Sequence, residues 1–94
     1  MNAGDLMQIV REEGLDTPVL YGAGRLHDDA VVLERDGDRY TVFLVDERHN
    51  PIRSTIRTYG DEAEALERVL LKLRQVAKAR RSMAALSEPP RSDA

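Results

Sequence analysis

The feature that most constrains this chain is the Asp36-Gly37 dipeptide set between two apolar runs, Ala30-Val-Val-Leu-Glu-Arg35 and Arg39-Tyr-Thr-Val-Phe-Leu-Val45. Runs rich in β-branched and aromatic residues favour strands, and Asp-Gly between them is a strong hairpin signal, because Gly tolerates the positive φ of a type I′ turn. Pairing across this turn fixes two faces, whichever residues form its centre. One carries Val31, Leu33, Tyr40, Val42 and Leu44; the other carries Val32, Glu34, Arg39, Thr41, Phe43 and Val45, with Glu34 near Arg39. After Asn50-Pro51 a third strand is predicted, with Ile52, Ser54 and Ile56 joining the first face and Arg53, Thr55 and Arg57 the second.

Helices flank this meander. Asn2 is placed to cap a helix over Ala3 to Glu13, in which Leu6, Ile9 and Val10 share one side and Gly14 supplies the left-handed stop. Val19-Leu20-Tyr21 reads as a short strand ended by Gly22-Ala-Gly24, and Arg25 to Asp29 as a polar link. Asp61, with Glu64 three residues on, has the spacing of a capping box opening a long helix. Its stripe of Ala65, Leu66, Val69, Leu70, Leu73, Val76 and Ala77 is expected to pack across the first sheet face. Acids at its start and Lys72, Arg74, Lys78, Arg80 and Arg81 towards its end follow the helix dipole. Fraying is expected between Arg81 and Leu86, and Ser87-Glu-Pro-Pro-Arg-Ser-Asp-Ala94 reads as a disordered tail with nothing to bury. The fold class that follows is α+β: a two-layer sandwich over residues 1–86, with a short N-terminal helix, a sheet of three or four antiparallel strands, and a long C-terminal helix on one face.

Ninety-four residues make room for one modest core. There is no cysteine, hence no disulfide and no thiolate ligand. Neither a signal-peptide pattern nor a membrane-length apolar run is present, so a cytoplasmic protein is expected. The net charge of −3 argues against a general nucleic-acid binder. His27 beside Asp28 and Asp29 suggests a metal, but neighbours on an extended chain point opposite ways, and His49 lies in another turn. Gly22-Ala-Gly24 is too short for a phosphate loop, and no serine has a His or acid placed to activate it. The reading is therefore a non-enzyme without metal or cofactor.

Two likenesses bear on function. The helix, three strands and helix are similar to a double-stranded RNA-binding domain, but such domains meet phosphates with lysines where this chain has Asp61-Glu62-Ala63-Glu64. RNA binding is rejected on that ground. The stretch Tyr40-Thr-Val42-Phe43-Leu44, leading to Glu47-Arg48 and then to Tyr59-Gly-Asp61-Glu62-Ala-Glu64-Ala65, resembles the small immunity proteins of bacterial polymorphic toxin systems. Their pattern is an aromatic-led strand ending in Glu-Arg-Gly, then Phe before Ser-Glu-x-Glu-Ala. Gly14-Leu15, Tyr21-Gly22 and Asp29-Ala30 also fall in place, so the likeness covers most of residues 14–73. Tyr40 stands for the usual Trp, His49 for the Gly, and the strand is one residue longer. The resemblance implies a partner that neutralises a toxin domain by covering its active surface, without chemistry of its own.

The expected partner surface is Phe43, Asp46, Glu47, Arg48, Arg53 and Arg57, at the strand-end turn and the second sheet face. It combines an aromatic anchor with arginines, the residue types that dominate interfaces. The competing expectations are a structural homodimer that pairs sheet edges or buries Phe43 against its twin, an adaptor domain, and a small enzyme; chain termini covering part of the second face would also account for its apolar residues.

Overall fold

The computed structural model describes residues 1–87, in the order α1 (Ala3–Glu13), β1 (Val19–Leu20), β2 (Val31–Asp36), β3 (Arg39–Leu44), β4 (Arg57–Tyr59) and α2 (Glu62–Ser87). The strands form one sheet in that order. The expected antiparallel arrangement holds for β2, β3 and β4, whereas β1 joins β2 in parallel, making the sheet mixed. Beyond Ser87, the tail expected over 87–94 lies outside the described residues.

The hairpin has the predicted faces with a different turn. Asp36 pairs with Arg39, so Gly37 and Asp38 form the centre, and only Gly37 has a positive φ, of 61°. A positive φ confined to the first central residue is the type II′ arrangement, not type I′. In this register Glu34 faces Thr41 and not Arg39. Val31, Leu33 and Val42 are fully buried against Leu66, Val69, Leu70 and Leu73 of α2 and Leu6 and Val10 of α1.

Both ends of α1 follow the sequence. The Asn2 side chain accepts from the Asp5 N–H at 2.8 Å, and the Asp5 carboxylate accepts from the Asn2 N–H at 3.2 Å, closing a capping box. Gly14 is left-handed, and the Leu15 N–H reaches back to the Val10 carbonyl at 2.9 Å, which seats Leu15 against the core.

The third meander strand departs from expectation. Residues 53–55 form a single 3₁₀ turn, and β4 begins only at Arg57. The cause is Thr55. Its hydroxyl accepts from the Leu44 N–H at 2.9 Å and donates to the Ile52 carbonyl at 2.6 Å. A side chain thus takes the ladder position that a strand backbone would fill, the local competition that Ser and Thr offer to secondary structure. The face assignment of residues 52–57 changes with it. Arg57 pairs with Val42, and residues directly opposite share a face, so Arg57 lies on the helix side and not on the outer side.

The basic half of α2 is tied to the N-terminal segment as well as favoured by the dipole. Arg74 makes a two-pronged bond to Glu13, at 3.0 Å from Nε and 2.5 Å from Nη2. Arg80 pairs with Asp16 and donates to the Asp28 carbonyl at 3.2 Å. These contacts hold the helix beyond the sheet, and it runs on to Ser87, through the Arg81–Leu86 stretch where fraying is expected. The Arg74 guanidinium holds the Glu13 carboxyl below the usual carboxylate range. Its contribution is complete at neutral pH and is lost on acidification through that lowered value.

Leu66 is fully buried beneath the sheet, whereas Leu71 is 43% exposed on the opposite side of the same helix. Leu66→Ala should cost about 2–5 kcal/mol and Leu71→Ala less than about 0.5 kcal/mol in urea titrations, provided α2 packs in this orientation.

Candidate functional site

Among the described residues no helix contributes to the cluster on the outer face of the sheet, yet its apolar residues are buried. Val19, Val32, Phe43 and Val45 form a second cluster with Ala30, each at most 7% exposed. Two loops wall it in. On one side run Gly22, Gly24 and Leu26 of the segment between β1 and β2; on the other stand His49 and Pro51 of the turn after β3, and Glu34 completes the rim. Between them lies a pocket of about 330 Å³ with an apolar floor, at the lower end of the size range of ligand sites.

The first wall depends on backbone that few residues adopt. Tyr21 has φ 53°, Gly22 φ 80° and Gly24 φ 127°. A Cβ at position 24 would come within 3.1 Å of the Pro18 carbonyl oxygen and 3.3 Å of the Val19 Cα, so only Gly lets the loop fold this close to β1. Tyr21 anchors its root. The hydroxyl donates to Glu62 at 2.5 Å, and the ring stands edge-on to Tyr40 at 6.5 Å between centroids. Partial burial, together with the Glu62 carboxylate, pushes the phenol's pKa well above its usual value, so it stays a donor throughout the physiological range.

The second wall is organised by Asp46. Its carboxylate accepts from the backbone N–H groups of Arg48 at 2.9 Å and Asn50 at 3.0 Å, and its own N–H donates to the Asn50 carbonyl at 2.9 Å. His49 is left-handed at φ 64°. That conformation favours Gly over a residue with a Cβ.

The six expected partner residues do not form one surface. Phe43 lines the pocket, but as part of its buried floor, at 7% exposure, and not as a protruding anchor. Asp46 is spent on the turn's own backbone, while Glu47 and Arg48 stand exposed on it. Arg53 is exposed on the 3₁₀ turn. Arg57 lies across the sheet on the helix side, its Nη1 donating to the carbonyls of Ser54 at 3.2 Å and Ile56 at 2.8 Å. The pocket residues that sequence reasoning passed over are Leu26, inside a stretch read as a polar link, and Pro51. Val32 and Val45 were legible as apolar residues on the second face, but nothing in their spacing showed which loops would roof them.

The histidines stand apart. His27 Nδ1 lies 2.9 Å from the carbonyl oxygen of Asp28, whereas His49 is at the pocket. Among the described residues no group of three or more His, Cys, Asp or Glu side chains is placed to hold a metal, and no helix is long and apolar enough to cross a membrane. No family model, curated protein or solved structure matches this chain. The fold itself is an α+β domain whose sheet is covered by helices on one face and by loops on the other.

His49→Gly should raise stability by about 0.5–1 kcal/mol, since it relieves a left-handed non-Gly residue without removing a core contact. Asp46→Ala should lower it by about 0.5–1.5 kcal/mol, as two exposed backbone N–H groups exchange the carboxylate for water. Denaturant midpoints of the two variants should therefore move in opposite directions.

Proposed function

We propose that this chain is a protein-binding domain of the immunity type, which neutralises a toxin domain by covering its active surface and performs no chemistry itself. The observation that carries this reading is the outer pocket: an apolar sheet face that no helix among the described residues covers, walled by two loops into a cavity of about 330 Å³. Such a pocket suits one large apolar side chain of a partner, and a desolvated anchor ringed by polar contacts is the usual source of interface affinity. Exposed Glu47 and Arg48 beside it supply the rim, where charges act mainly on encounter rate and partner choice. In this reading the partner is a protein, no cofactor takes part, and the complex forms in the cytoplasm of the toxin-producing cell.

The homodimer reading keeps one supporting observation: among the described residues β1 and β4 are the edges of the sheet, and β4 pairs with β3 alone. Burial of Phe43 against a twin is no longer needed to explain that residue, because the chain's own loops cover it. Light scattering separates the two readings, since an edge-paired dimer should dissociate on dilution and a monomer should not change.

The direct test is co-expression with the toxin-like C-terminal domain of a secreted protein encoded beside this chain. Leu26 is 40% exposed at the pocket mouth, so Leu26→Asp should leave the circular dichroism spectrum intact while placing a charge where an apolar partner side chain would enter. Binding should fall roughly 10- to 30-fold, and protection of the host should fall with it. Wild-type affinity in this variant would show that the pocket is not the interface.

A further inference from the structure

Three cations converge on the helix side of the sheet edge, away from the outer pocket. Arg57 reaches this side because it pairs with Val42 in β4, and β4 packs against α2. From α2 come Arg68 and, one turn on, Lys72. Lys72 is only 6% exposed, yet the ion pairs among the described residues join Arg74 to Glu13 and Arg80 to Asp16 and Asp29, and none involves these three cations. Arg68 Nε is buried and has no hydrogen-bond partner. Glu64 and Glu67 share a neighbouring hollow with Arg68, but neither pairs with it.

Cations at a sheet edge commonly serve to stop copies from pairing. That accounts for exposed Arg57. It does not account for Lys72, whose stem is buried while its ammonium, not itself a sealed unpartnered atom, stands within reach of two like charges. Partial desolvation, followed by the charges of Arg68 and Arg57, depresses the Lys72 ammonium below its ordinary value.

We propose that Arg57, Arg68 and Lys72 form a binding site for a small, doubly charged oxyanion of the phosphate type. A tetrahedral dianion would offer the buried Arg68 Nε an acceptor and Lys72 the missing charge, and guanidinium forks match its oxygens in geometry as well as charge. The site shares no residue with the outer pocket and does not depend on the immunity reading.

The test compares wild type with Lys72→Met, which keeps the buried volume and removes the charge. Both melting temperatures are followed against inorganic phosphate and sulfate, with acetate and chloride at equal ionic strength. Without added dianion, Lys72→Met should melt higher than wild type. Phosphate should raise the wild-type melting temperature saturably, by about 6–11 °C at roughly ten times its half-saturating concentration. Lys72→Met should show only the gradual rise that kosmotropic salts give any protein. The exposed Arg57→Gln variant should weaken the saturable response several-fold, and amide shifts on phosphate addition should centre on residues 57, 68 and 72. Equal, unsaturating responses in wild type and Lys72→Met would overturn the site. An acetate response as large as that to phosphate would overturn its assignment to a dianion.

Discussion

The structure depends on the pairing of β2 with β3. Their register, from Asp36 opposite Arg39 to Val31 opposite Leu44, sends alternate apolar side chains to both faces of the sheet. Because side chains alternate with a period of two, a slip of one residue would exchange the two sets entirely. Gly37 prevents the slip by closing the hairpin with two residues. One face then calls for a helix, which α2 supplies through Leu66, Val69 and Leu73. The other is left with Val32, Phe43 and Val45, too apolar to stand in water.

The covering of that second face shapes the candidate site. A second helix would have filled the space above it with side chains. Two loops do so incompletely, and a pocket remains. The cover comes at a conformational cost, since Tyr21 and Asp29 bound the first loop and His49 sits in the second, all with positive φ. Residues held in such sparsely populated regions concentrate at functional sites, where the surrounding structure fixes them. Here the fixing groups are the bond from Tyr21 to Glu62 and the Asp46 carboxylate inside its own turn.

Charge is used differently on the two sides. Near the C-terminal half of α2, Arg74 and Arg80 find Glu13 and Asp16, so the helix end is fastened to residues some sixty positions earlier in the chain. At the β4 edge Arg57, Arg68 and Lys72 find no such carboxylate among the described residues. The same basic helix thus contains cations that serve the fold and cations that the fold leaves unbalanced.

By itself the sequence determined what local chemistry can determine. The Asn2 box and Gly14 stop bound α1, the alternation of residues 31–35 and 39–45 assigns the two sheet faces, and the stripe from Ala65 to Leu73 points α2 at one of them. These features depend on neighbours a few residues apart or on the fixed periods of strand and helix. Tertiary structure decided the rest. The Thr55 hydroxyl found Leu44 across the meander and broke the expected third strand, which in turn carried Arg57 to the helix side. The first loop lay close over β1 because Gly24 has no Cβ, bringing Leu26 opposite His49 and Pro51 around one pocket. None of those meetings is encoded in spacing. Each depends on two segments distant in sequence arriving at one place, and that happens only once the hairpin has set the distance between them.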